Sequence, residues 1–147
     1  MKNFDPVEIL IVEDNPNDSE LIIRALKKHN LANDLYVAED GQEALDFIFC
    51  RGQFESRHPI KPLKVVFLDL KLPKINGLEV LREIKSNPQT KKLPVIIVSS
   101  SKEDPDIKTA YEYGANSYVV KPVDFSDFIK SIENTGLFWL LVNEAPR

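Results

Sequence analysis

Short apolar runs alternate with amphipathic stretches along this chain, and that alternation leaves few folds open. The runs are Glu8–Val12, Asp34–Ala38, Val65–Leu68, Val95–Val98 and Ser117–Val120. Val65-Val66-Phe67-Leu68 contains no polar residue, the pattern of a strand buried on both faces of a parallel sheet. Between the runs, apolar residues recur at helical spacing. Leu21, Ile22, Ala25 and Leu26 make one stripe, in a helix predicted from about Asp18 to His29. Ala44, Leu45, Ile48 and Phe49 make the next, in a helix opened by Gly41-Gln42, and Leu78, Leu81 and Ile84 mark a third. A fourth helix should start near Asp104-Pro105, with Ile107, Ala110 and Tyr111 inward and Gly114 as its stop. A fifth should start near Asp124, with Phe125, Phe128, Ile129 and Ile132 inward. Five βα units of this kind predict a doubly wound α/β domain with helices on both faces of a parallel sheet.

In such a sheet all strand ends open on one edge, where ligands bind. The first strand ends in Glu13-Asp14, the third in Asp69, the fourth in Ser99-Ser100 and the fifth in Lys121-Pro122. Three carboxylates, a hydroxyl and an ammonium therefore converge. Two carboxylates ~4 Å apart repel by on the order of 4 kcal/mol at an effective dielectric near 20. A hard divalent cation removes that cost, and oxygen ligands with room for water suit Mg²⁺. Without a metal, one carboxyl should have a raised pKa. Lys121 suits a phosphoryl oxygen, the Ser99 hydroxyl could donate to another, and an Asp can serve as a nucleophile that forms an aspartyl-phosphate.

These residues resemble the receiver domain of the two-component response regulators. The match rests on Glu13-Asp14, on Asp69 with Leu72-Pro73 and Gly77, on Ser99, and on Tyr118-Val119-Val120-Lys121-Pro122, and it spans about residues 7 to 134. The resemblance implies a flavodoxin-like (βα)5 fold with strand order 2-1-3-4-5 and Asp69 as phospho-acceptor from a histidine kinase. It also implies Mg²⁺ held by Asp14, Asp69 and the Lys71 carbonyl, with Glu13 acting partly through water. Lys121 and Ser99 are expected to contact the phosphoryl group, and Lys121-Pro122 to be a cis peptide. Ser99 and Tyr118 would form the switch that biases the surface made by the fourth helix, fifth strand and fifth helix. The family commonly has Thr at the Ser99 position; Ser keeps the hydroxyl without the methyl, which loosens the expected rotamer coupling.

Two further features resemble the stand-alone response regulators paired with phytochrome kinases. One is the long loop Arg51 to Leu63; the other is the tail Gly136-Leu137-Phe138-Trp139-Leu140-Leu141-Val142. If the last helix ran on through that tail, Ile132, Trp139 and Leu140 would continue its inner face, and Leu137, Phe138 and Leu141 would lie on another. Those three residues either cap the domain's own core or form a surface for self-association or kinase docking. The expectation carried forward is a homodimer.

Other classes fit less well. A net charge of -4 and a pI near 5.2 do not suit a nucleic-acid face. No apolar run approaches the ~20 residues of a membrane span, and no signal peptide is evident, so a cytoplasmic protein is expected. A dehalogenase-type phosphohydrolase needs an acid two residues after its nucleophile, where this chain has Lys71. A flavodoxin needs a phosphate loop after the first strand, and Asp14-Asn15-Pro16-Asn17-Asp18 would repel phosphate. A receiver acting only as a non-phosphorylated interaction module, a phosphorelay intermediate and a phosphate sink remain alternatives. Cys50 reads as a small core residue, His29 and His58 as bystanders, and Ser100 and Ser101 as loop and cap residues. The 147 residues fit a single domain, with a core of about 7–134 and a helical extension of about 135–147. Output is then expected to run through contacts of that domain, as a switch rather than as a turnover enzyme.

Overall fold

The computed structural model describes residues 7–31, 34–57 and 63–142. Five strands, β1 (Ile9–Val12), β2 (Leu35–Ala38), β3 (Val65–Leu68), β4 (Val95–Ser99) and β5 (Ser117–Val120), alternate with helices α1 (Pro16–Lys28), α2 (Gly41–Ile48), α3 (Gly77–Ser86), α4 (Asp104–Glu112) and α5 (Phe125–Asn134). A single turn of helix, α6 (Phe138–Leu141), follows. The strands form one parallel sheet in the order β2-β1-β3-β4-β5, as the doubly wound reading requires.

Successive residues of the central strands feed opposite layers, because strand side chains alternate in direction. Leu10, Val12, Val66, Leu68 and Ile97 pack under α2 and α3. Ile9, Ile11, Val65, Phe67, Ile96 and Val98 pack under α1, α5 and α6. Both faces of β1, β3 and β4 are thereby buried, and Ser99 at the end of β4 is the one polar residue on those strands.

Four helices begin on the carboxyl edge with an Asx cap. The side-chain oxygens of Asn15, Asp40, Asn76 and Asp124 accept from the backbone N–H groups of Asn17, Glu43, Glu79 and Asp127 at 2.9, 2.7, 3.0 and 3.2 Å. The Asn15 cap and Pro16 set the start of α1 two residues before the expected Asp18. α4 differs. Its cap position is Glu103, which makes no side-chain cap bond, so Asp104 is the first helical residue and not the cap. Tyr111, expected inward on α4, is 49% exposed.

The tail corrects the expectation of one continuous helix. Thr135 caps α5, and Gly136 takes φ 74°, a left-handed conformation open to glycine. The Leu137 N–H returns to the Ile132 carbonyl at 3.2 Å, closing the helix end. The chain then restarts as α6 with a new phase. Leu137 and Leu141 are 3% and 0% exposed and belong to the chain's own second core, with Phe138 packed against it. Leu140, expected inward, is 58% exposed and uses its carbonyl to accept from Lys64 Nζ at 3.0 Å. The residues assigned to a partner surface therefore complete this domain's core, because the break at Gly136 rotates the tail.

The segment after α2 is also more structured than a plain loop. A 3-10 turn at Gly52–Phe54 buries Phe54 against Phe47, with ring centroids 5.1 Å apart. Arg57 lies over the Phe47 ring at 4.2 Å and donates to the Phe47 carbonyl at 3.0 Å, neutralising the end of α2. Cys50 is not a helical core residue: it sits beyond α2 at φ 56°, half-buried, and its sulfur accepts from Arg57 at 3.3 Å. His58 and the rest of 58–62 lie outside the described residues.

Candidate active site

The acidic residues meet at the carboxyl edge between β1 and β3. Glu13, Asp14 and Asp69 each bring one carboxylate oxygen to within 4.8 Å of the others. β1 and β3 are paired in register, Val12 opposite Leu68, so the residues that follow them emerge side by side. The Asp69 N–H donates to the Val12 carbonyl at 3.0 Å, extending that pairing to the site itself. Glu13 is 2% exposed, Asp69 is 7% exposed, and Asp14 faces solvent. An all-oxygen set with one open side fits a hard divalent ion and leaves coordination positions for water.

Gly77 fixes the turn after Asp69. A Cβ on Gly77 would lie 2.1 Å from the Asp69 carbonyl oxygen and 2.5 Å from the Leu70 Cα. Only hydrogen fits there, so α3 begins directly against the backbone of the acceptor candidate. The Gly77 N–H donates to the Leu70 carbonyl at 2.7 Å and seals the contact. Within the turn, Asp69 Oδ1 accepts from the Lys71 N–H at 3.3 Å.

β5 delivers Lys121, and the following peptide to Pro122 is cis, as expected. The Lys121 ammonium reaches Glu13 Oε1 at 2.5 Å, Asp18 Oδ2 at 2.8 Å and Asp69 Oδ2 at 3.1 Å. Glu13 also accepts from the Asn15 N–H at 3.1 Å. Burial raises the Glu13 carboxyl from 4.5 to about 7, outweighing the hydrogen bond from Lys121, and the nearby Asp69 charge pushes the same way. Glu13 is therefore about half-protonated near pH 7 in the metal-free cluster, chiefly because it is buried. Burial lowers the Lys121 pKa, but its carboxylate partners outweigh that effect and raise it above the ordinary lysine value, so it stays charged.

Ser99 closes β4 and is fully buried, its hydroxyl oxygen accepting from the Ser101 N–H at 3.3 Å. The Lys121 N–H donates to the Ser99 carbonyl at 2.8 Å, so the two strand ends are tied together. Tyr118 is half-buried, and its hydroxyl donates to the Ser101 carbonyl at 3.0 Å. Burial pushes its phenol above the ordinary value. Ser101 keeps to a loop role: its hydroxyl donates to Asp106 Oδ2 at 2.5 Å and accepts from the Glu103 N–H at 3.3 Å.

Asp18 is the member that sequence reasoning missed. Starting α1 at Asp18 hid it, because a helix-opening acid looks like a dipole partner. With Asn15 as cap, Asp18 is the third helical residue, on the turn that faces the edge. The available signal was Asn15-Pro16, which starts α1 early and sets Asp18 in its first turn.

Residues 9–133 match the family described as the response regulator receiver domain. Response regulator Rcp1 of Synechocystis sp. is 36% identical over 141 residues, covering 96% of this chain and 94% of Rcp1. Among solved structures, the bacteriophytochrome response regulator RtBRR is 46% identical, with a TM-score of 0.83 over 94% of this chain and 82% of its own. The Mn²⁺-bound form of Rcp1 is similar at a TM-score of 0.77 and 34% identity, covering 97% of this chain and 100% of its own. The matched span takes in every strand of the sheet and the residues gathered at its edge: the chain belongs to the response regulator receiver family and is related to the phytochrome response regulators.

Proposed function

We propose that this chain is a two-component response regulator whose Asp69 accepts a phosphoryl group from the phosphohistidine of a kinase, with phytochrome-type kinases as the preferred class. The observation that carries this reading is one lysine, Lys121, hydrogen-bonded to Asp69 and Glu13 at the rim of an all-carboxylate cluster. An Asp69 oxygen forms the new bond to phosphorus while the P–N bond of the donor breaks. The electron pair leaves with the imidazole, which takes up a proton. Lys121 offsets charge on the oxygens in transfer, and the buried Ser99 hydroxyl is the donor expected for another of them. Glu13, Asp14 and Asp69, with the Lys71 carbonyl, are the residues suited to hold Mg²⁺, whose chemistry here is charge neutralisation of the phosphoryl oxygens.

Tyr118 is suited to read the event. Its hydroxyl is anchored on the loop that Ser99 begins, so a shift of Ser99 changes what Tyr118 can bond. The fourth helix, fifth strand and fifth helix then offer a partner two alternative surfaces. Lys71, where a hydrolase of this nucleophile class would need an acid, favours a switch over a turnover enzyme. The same reading places the protein in the cytoplasm beside its kinase.

The test is direct. Incubation with acetyl phosphate and Mg²⁺ should add the mass of one phosphoryl group, and a phytochrome-type kinase should transfer its label faster than unrelated histidine kinases. No adduct, or one that survives Asp69→Asn, overturns the reading.

A further inference from the structure

The Lys121 ammonium has three hydrogens, and three carboxylate oxygens take them: Glu13 Oε1 at 2.5 Å, Asp18 Oδ2 at 2.8 Å and Asp69 Oδ2 at 3.1 Å. A phosphoryl oxygen can gain Lys121 only if one of these contacts is given up. The three differ in what release costs. The Glu13 and Asp69 side chains are 1% and 9% exposed, so losing their donor would leave a buried acceptor poorly satisfied unless a cation in the cluster takes the place of Lys121. The Asp18 side chain is 32% exposed and can exchange Lys121 for water. Asp18 also lies outside the cluster of Glu13, Asp14 and Asp69, so a cation held there does not replace Lys121 as its partner.

We infer that Asp18 is a positioning residue that holds Lys121 back on α1 in the unphosphorylated protein and yields it when a phosphoryl group arrives on Asp69. This inference rests on the assignment of Asp69 as acceptor. Asp18 touches neither the acceptor nor the group transferred; it acts through Lys121. The bond that α1 holds is the one exchanged, so the ease of that exchange sets how fast Lys121 reaches the transferring oxygens. A neutral acceptor holds an ammonium less firmly than a carboxylate does.

The experiment follows phosphorylation of the full chain by acetyl phosphate at saturating Mg²⁺, by intact mass, for wild type, Asp18→Asn and Asp18→Ala. Both variants should be phosphorylated faster, Asp18→Asn by about fivefold from the difference between charged and neutral hydrogen bonds. Asp18→Ala should be faster still, because the Asn amide oxygen can still accept. In the metal-free protein, the Lys121 ammonium followed by NMR should exchange with water faster in both variants. An acid in the first turn also stabilises a helix. A purely structural role would therefore lower the melting temperature without raising the rate. Rates that are unchanged or slower, with the adduct still on Asp69, overturn the role of Asp18 and leave the acceptor assignment standing. Wild-type protein that takes no adduct on Asp69 overturns the assignment beneath it.

Discussion

Mg²⁺ binding should depend on pH with a slope set by Glu13. In the metal-free fold, burial holds the Glu13 carboxyl near 7, against 4.5 for the free side chain. A cation that takes a Glu13 oxygen needs the carboxylate, so binding releases whatever proton Glu13 holds. With a pKa of about 7, about nine-tenths of a proton is held at pH 6 and about one-tenth at pH 8. The apparent affinity should therefore rise about tenfold between those values, or ~1.4 kcal/mol, and flatten above pH 8. Stability of the metal-free fold runs the opposite way. Across the window from 4.5 to about 7 the folded state keeps a proton that the unfolded state has lost, so stability falls as pH rises through it. Isothermal titration in buffers of different ionisation enthalpy measures both affinity and proton release. A flat profile from pH 6 to 8, or one whose slope survives Glu13→Gln, refutes the assignment of that proton.

Two other perturbations test parts of the fold that shape the site. Gly77→Ala pushes a methyl into the Asp69 carbonyl, 2.1 Å away, and should cost about 3 kcal/mol or more in urea unfolding; a neutral result would mean the turn is not locked. Leu141→Ala removes a fully buried side chain and should cost about 2–5 kcal/mol with no change in mass by light scattering; a changed oligomer with unchanged stability would return Leu141 to a partner surface.

The fold was legible because its determinants are local and repetitive. Purely apolar β3 and the stripes of α1, α2 and α3 leave one way to bury both faces of a sheet. The site residues were legible for the same reason, since a parallel sheet sends the residue after every strand to one edge. What escaped depended on single-residue geometry. The tail was read as a helical extension, whereas the left-handed conformation of Gly136 ends α5 outright and turns Leu140 out and Leu141 in. The first helix was expected from about Asp18, although Asn15 at the cap and Pro16 at the first position are helix-start chemistry. That shift of two residues concealed Asp18. Cys50 and Tyr111 failed similarly: helical spacing was extended two residues past the end of α2 and one past the inner face of α4.

The strand order has a bearing on how the site comes together. Glu13, Asp14 and Asp69 follow β1 and β3, which lie inside the sheet, whereas Lys121 follows β5, which pairs on one side only, with β4. β5 follows β1 and β3 in the chain, so the acidic residues are made before their positive partner. Local opening favours the edges of a sheet over its centre. Fraying of β5 would thus withdraw the cation and leave the carboxylates in place. Capacity to neutralise a phosphoryl group could then fade by degrees well before the domain itself unfolds.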